Sequence, residues 1–503
     1  MAYRDHEPIT LEEFKGLYQR GDAEDTPMDH FAECDNLQSV GDYGFGMRPG
    51  VGLHQDVVAP IQNIRRIYNY PTDDGNTILV LIANGANGEI YHVVDADTIF
   101  GPILTIAGME DFAFVPYNGR ALISPFKTYV VGGLNVEKGL DNEFLYVYQG
   151  DGTAARKAAG TTPAGTITVA NGIAGHTDAG LHIFGVVGET DSGYLSAPVA
   201  LNSFTTSAAL SVSFSTVPTF VGAQWTKRHI VASKVIQTYN GDVTGYQLFF
   251  IPGAVINDNV TTVLANVSFY DADLLLDASH LLDNFSEIAA GTTLAIYNNR
   301  LILGGEFDNI SLYRVSAPGE PEAISQITGI LTMPPDGNPI TNGQILRGVF
   351  YGFKRSKTAS WVDNGDVPTS WEYSSVDEAL GTSVHGIATV LDSGSSNADF
   401  LFIATYKGMC LFNGRYVLPE LSTKIQSNWY DMDRNEFRKI QVLHDPIAQR
   451  IYYVTTDRTI MYGDYKNGLD PKNIKWWPWS FIFLVNTIAI WNIDDFIIGA
   501  DQV

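Results

Sequence analysis

Apolar residues along this chain come in runs of roughly four to eight, alternating or continuous, cut by Gly, Asn and Asp, and that pattern predicts short strands joined by tight turns. The runs recur in sets. IRRIYNY, TILVLIA, GEIYHVV and GPILTIA make four strands between residues 64 and 107, with the glycine turn NGANGE at 84–89 between two of them. FAFVPYN, RALISP, FLYVYQ and TAARKA form a second set that ends near Ala158. Further sets begin at LAIYNNRLILGGEFDNISLYRV (294–315), where Asn298 and Asn299 suit a turn with positive φ, and at ILRGVFYGFKRSKTASWVDNG, HGIATVLD and FRKIQVLHDPIAQRIYYVTTDRTIMYGDY. FIFLVNTIAIW and DFIIGADQV supply half of a seventh. Units of four strands every 40 to 50 residues or so are the signature of propeller blades: one small sheet cannot hide both faces, whereas a ring of sheets can. The expectation is an all-β chain, a β-propeller of six to seven blades. The stretch DYGFGMRPGVGL (42–53) is expected to complete the last, half-formed blade, unless the natural chain continues beyond Val503.

Residues 161–285 have a different texture. GLHIFGVVGETDSGYLSAPVAL, AALSVSFSTVP, WTKRHIVASKVI, GYQLFFIPGAV and TTVLANVSF alternate strictly and are rich in Thr, Val and Ser. Turns about every 8 to 12 residues predict an inserted β-sandwich of fibronectin or immunoglobulin type. Its exit, DADLLLDASHLLDNF (271–285), carries leucines at helical spacing and predicts a short amphipathic helix. Four regions follow: an N-terminal arm (1–40), the first blades (41–160), the insert (161–285) and the remaining blades (286–503). The arm holds one amphipathic segment, ITLEEFKGLYQRG, and is expected to dock on a neighbouring subunit.

Composition sharpens this reading. At 503 residues the chain exceeds one ordinary core, and only 17% of its residues are charged, which favours strands and turns over solvated helices. Acidic residues outnumber basic ones 56 to 31, giving a formal charge of -25, so such a surface repels a nucleic-acid backbone rather than gripping it. The opening MAYRDHEPITLEEF lacks the basic and apolar regions of a secretory signal, and FIFLVNTIAIW is too short to span a bilayer; neither export nor membrane insertion is expected. Cys34 and Cys410 lie far apart, and two unpaired thiols are a simpler reading than one bridge.

Chemistry is sparse. DMDRNEF (431–437) begins like a calcium loop, yet Glu436 stands where the sharp turn needs Gly and Val442 where the bidentate Glu belongs. No two histidines or cysteines have zinc spacing, and no nucleophile elbow or phosphate loop is present, so neither metal, cofactor nor catalytic residue is expected. KWWPWSFIF (475–483) gathers Trp476, Trp477 and Trp479, which would either stack on sugars or bases or pack between blades.

The stretch from Phe14 to Val51 resembles the opening of a family of bacteriophage virion proteins. The matching elements are Gly16, Leu17, Arg20 and Gly21, then Pro27, His30 and Phe31, then Asn36 and Leu37, then Arg48 and Gly50. GLHIFGVVGETDSGYLSAP, WTKRHIVAS, VSFYDADLL and LAIYNNRLILGG are similar to the same family, and together the likeness covers most of the chain. Members are tail or DNA-stabilising structural proteins, and related nozzles of short-tailed phages are propellers in a sixfold ring below the portal and adaptor. The resemblance implies a non-enzymatic virion component, made in the host cytoplasm, that contacts itself in a hexameric ring, the portal or adaptor, tail fibres, and double-stranded DNA passing without sequence-specific binding. Arg20, His30, Phe31 and Arg48 are the candidates for docking the arm, or else make local turn and cap contacts. A polysaccharide-binding tail adhesin is the alternative, and a propeller glycosidase with paired carboxylates a more distant one.

Overall fold

The computed structural model describes residues 37–40, 44–47 and 64–500, apart from 73–74, 95–97, 160–162, 164, 240–241, 244, 284–286, 326, 391–399, 431, 434, 482 and 493–494. Six antiparallel sheets of four or five strands succeed one another along the chain, at 64–107, 111–157, 293–332, 340–377, 387–417 and 441–479. A two-stranded unit, Val485–Asn492 with Asp495–Ala500, comes last. The chain is a β-propeller, and its sheets are joined by their apolar faces. Each pair of neighbours shares one cluster: Leu79 and Phe112 between the first and second blades, Leu122 and Leu301 between the second and third, and Tyr313 and Phe350 between the third and fourth. Phe353 and Leu401, then Phe402 and Tyr453, continue the series through the fifth and sixth blades.

Strands in such a ring are covered on both faces, so their sequences are continuous apolar runs. In RIYYV, Ile451 and Tyr453 face the fifth blade while Tyr452 and Val454 face the closing unit. Ring closure follows the same rule. Val485 and Ile488 pack on the sixth blade, and Ala489 packs on Ile67, Val80 and Tyr91 of the first. The expected strand exchange from residues 42–53 is not found among the described residues: 44–47 pair with 37–40 in a separate hairpin, and no third strand joins the closing unit. Side chains cross the seam instead. Gln441 donates to the Ile488 carbonyl at 2.9 Å and accepts from the Ile488 amide and the Thr487 hydroxyl at 3.0 Å, and Asn486 donates to the Ile64 carbonyl at 2.8 Å.

Between the second and third blades the chain leaves the ring. Thr168–Ala174, Leu210–Ser215 and Leu264–Val267 form one sheet, and Val199–Thr206, Gly180–Thr190, Trp225–Ser233 and Leu248–Ile256 form another. The inward residues of both, including Phe184, Phe214 and Ile230, meet in one core, which also touches Ala323 of the third blade. The exit is not the amphipathic helix its leucines suggest: Asp271–Asp273 and Ser279–Asp283 are short 3-10 turns. Leu274 enters the core between the sheets, whereas Leu281 covers the outer face of the four-stranded sheet beside Leu248. Two residues bound for opposite sides of a sheet cannot share one helical stripe.

Candidate functional site

The first strand of every blade is its innermost, and all seven inner strands line one axial channel of about 330 Å³. Tyr68, Phe114, Leu294, Gln344, Ile387, Leu443 and Ala489 supply one side chain from each. The walls are tied between blades as well as within them: Thr341 donates to the Thr382 carbonyl at 2.8 Å, and the Gly343 amide donates to Thr293 at 3.1 Å.

At the end where the inner strands begin, a buried polar network crosses the axis. Asp111, on the second blade, accepts from Arg66 Nη2 of the first at 2.6 Å and from His385 Nε2, just before the fifth blade, at 2.9 Å. The Tyr68 hydroxyl donates to the Phe112 carbonyl at 3.1 Å and lies 3.4 Å from His385 Nδ1. Burial alone would raise the pKa of Asp111, but the opposing charge of Arg66 and the bonds from His385 hold it below the ordinary carboxylate range. Burial, then the charge of Arg66, depresses His385. The result is an ionised carboxylate clamped by a cation and a neutral imidazole, a fixed bar between blades that are not neighbours in the ring.

Outside this bar lies a cavity of about 300 Å³ whose wall is rich in cations. Arg65 and Arg66 come from the first inner strand, Lys127 from the second blade, Arg438 and Lys439 from the turn entering the sixth, and Arg458 from a turn within the sixth. Glu110, Asp111 and Glu137 are the carboxylates of the same wall. Burial pushes Glu137 up to about 7, against the pull of Arg355 and Arg438. These residues come from stretches tens to hundreds of positions apart, and no local motif announces them.

The tryptophan candidates lie away from both cavities. Trp476, Trp477 and Trp479 belong to Lys475–Trp479, the fourth strand of the sixth blade, and all are buried. Alternation sends Trp476 toward the fifth blade and Trp477 and Trp479 toward the closing unit, so the three do not share one face and, being buried, form no exposed stacking platform. Trp476 pairs opposite Gly463, where a Cβ would come within 2.8 Å of the indole; the missing side chain makes room for the ring. Arg20, His30, Phe31, Arg48 and Cys34 lie outside the described residues. Cys410 is buried, which pushes its thiol up to about 12. Among the described residues no cluster of His, Cys, Asp and Glu is placed to hold a metal ion, and no helix is long and apolar enough to cross a membrane.

No protein-family model and no curated protein matches the chain. Solved structures do. Apo AztD from Citrobacter koseri is similar at 9% identity over 88% of this chain and 90% of its own, with a TM-score of 0.32. Hsv2 from Kluyveromyces lactis is 11% identical over 83% of this chain and 97% of its own, with a TM-score of 0.26. A quinonprotein alcohol dehydrogenase-like protein from Bacteroides thetaiotaomicron is 9% identical over 80% and 81%, with a TM-score of 0.26.

Proposed function

We propose that the chain is a structural component of a bacteriophage tail, a ring-forming nozzle or tail-tube connector below the portal and adaptor, through which DNA is retained and ejected. The observation that carries this reading is where the phage-like segments fall. GLHIFGVVGETDSGYLSAP supplies Asp191 and Ser192, which join the insert to the ring. Arg156 of the second blade binds Asp191 at 2.7 Å and Glu322 of the third at 2.9 Å, while Ser192 donates to Glu322 and the Ala159 amide donates to it at 2.6 Å. WTKRHIVAS and LAIYNNRLILGG are core strands of the insert and the third blade. One resembling segment thus contributes to a polar joint between insert and ring and the others to the cores on either side, which suits a part that carries load during assembly. The surplus of acidic residues suits DNA that must slide. In this reading the insert is a sandwich of fibronectin or immunoglobulin type facing fibres or neighbouring subunits. Its larger sheet, in the order Val199–Thr206, Gly180–Thr190, Trp225–Ser233 and Leu248–Ile256, has the C′-C-F-G arrangement of such sandwiches, although the third strand of its smaller sheet, Leu264–Val267, comes from the C-terminal end.

The alternative, a polysaccharide-binding adhesin, loses its tryptophan platform to the core. The test is made on particles. Antibody against the purified chain should decorate the tail axis of the parent virion in electron micrographs, and particles assembled without the chain should lose packaged DNA. Label confined to fibre tips, or full genome retention without the chain, would refute the nozzle reading.

A further inference from the structure

We propose that the basic mouth of the axial channel is a binding site for phosphoryl oxyanions. The claim stands on the cavity alone and does not depend on the tail reading. In a chain of formal charge -25, one cavity of about 300 Å³ gathers six cationic side chains and three carboxylates. Carboxylates engage two of these cations. Asp111 is engaged by Arg66 and His385, and Lys439 pairs with Glu436. Lys127 lies over the Tyr129 ring at 4.8 Å, and Arg438 donates through Nη1 to the Thr128 hydroxyl at 3.0 Å. Arg438 Nε and Arg66 Nη1 are buried with no hydrogen-bond partner, which leaves part of two guanidinium groups unmatched by protein.

Four of the six cations are arginines, whose planar forks bind tetrahedral oxyanions through paired donors. Six cations against the three carboxylates and Glu436 leave an excess of two positive charges, which in a recess with low-dielectric walls matches a multivalent anion better than a single carboxylate. The volume exceeds that of one phosphate and accommodates two linked phosphoryl groups or the terminal phosphate of a nucleic-acid strand with its first sugar. Arg65 and Arg458 reach the cavity from opposite sides, the first blade and the sixth, so a ligand held by both would also bridge the seam where the ring closes.

The test uses the full purified chain and titration calorimetry at low ionic strength. Pyrophosphate should bind saturably. The double variant Arg65→Ala/Arg458→Ala should weaken it by about tenfold or more, and Arg65→Lys/Arg458→Lys should restore part of the loss. Unchanged melting of the variants controls for folding. A second arm titrates a short DNA duplex with and without 5′-phosphates. Binding of pyrophosphate alone identifies a small phosphate ligand, whereas phosphate-dependent duplex binding that pyrophosphate displaces identifies a DNA end. No saturable binding of any of these probes, or equal affinity in wild type and the double alanine variant, would overturn the proposal.

Discussion

Ring and insert bury their apolar residues by opposite arrangements. The insert hides one face of each of two sheets in a single core, as an independent domain does. The ring has no central core: each blade gives one face to each neighbour, and stability is a chain of interfaces that ends where it began. Damage should therefore spread differently in the two. A hole in the insert weakens one body, whereas a hole between blades weakens a link on which closure depends.

The largest effect is expected for Trp476→Ala, which empties the interface between the fifth and sixth blades and should lower stability by about 3–5 kcal/mol in urea unfolding. Phe214→Ala should remove a comparable amount from the insert. Hydrogen exchange distinguishes the two, since the first should speed exchange in strands of the fifth and sixth blades and leave 210–215 protected, and the second the reverse. Should both variants relax the whole molecule equally, ring and insert are one cooperative unit and the comparison fails. Next comes Glu322→Ala, which takes from Arg156 one of its two carboxylates and from the Ala159 amide its buried acceptor. A loss of about 3 kcal/mol is expected, with calorimetry resolving separate transitions for ring and insert.

Two titrations probe the ring alone. His92, bonded to Tyr148 at 2.7 Å and Thr77 at 2.9 Å, is driven down by burial from 6.5 to about 4. The unfolded chain takes up that proton first, so stability falls as pH drops from 6.5 through 4, and this part of the slope should vanish in His92→Gln. Glu137 behaves oppositely. Its carboxyl rises from 4.5 to about 7, so the native state holds the proton longer and stability from this group falls as pH climbs through that window. Glu137→Gln should gain about 1–2 kcal/mol at pH 8 and nothing at pH 4. An unchanged pH profile would mean that Arg355 and Arg438 fully offset the burial of the carboxylate.

Most blade strands were legible because burial on both faces writes itself as unbroken aliphatic and aromatic runs, as in TILVLIA and RIYYV. The same fact hid one strand. KWWPW looks like a clustered aromatic surface when read alone, but it continues the alternation of IMYGD and packs to both sides. The leucines of 271–285 misled for a related reason: spacing reveals which residues are apolar, and only the tertiary fold decides that Leu274 and Leu281 enter different cores. Nothing in the sequence marks the basic mouth. Its residues run from Arg65 to Arg458, and their convergence is a product of closure.

The hydrogen bond from the Ile67 amide to Thr487, at 3.4 Å, joins positions 420 residues apart. The blade at 64–107 must therefore leave the ribosome with one flank bare, and it stays bare until residues 485–489 have been made. Shielding of that flank by a chaperone or by a sister chain should decide the yield of soluble protein, and truncation ahead of Val485 should yield aggregates where full-length chains yield discs.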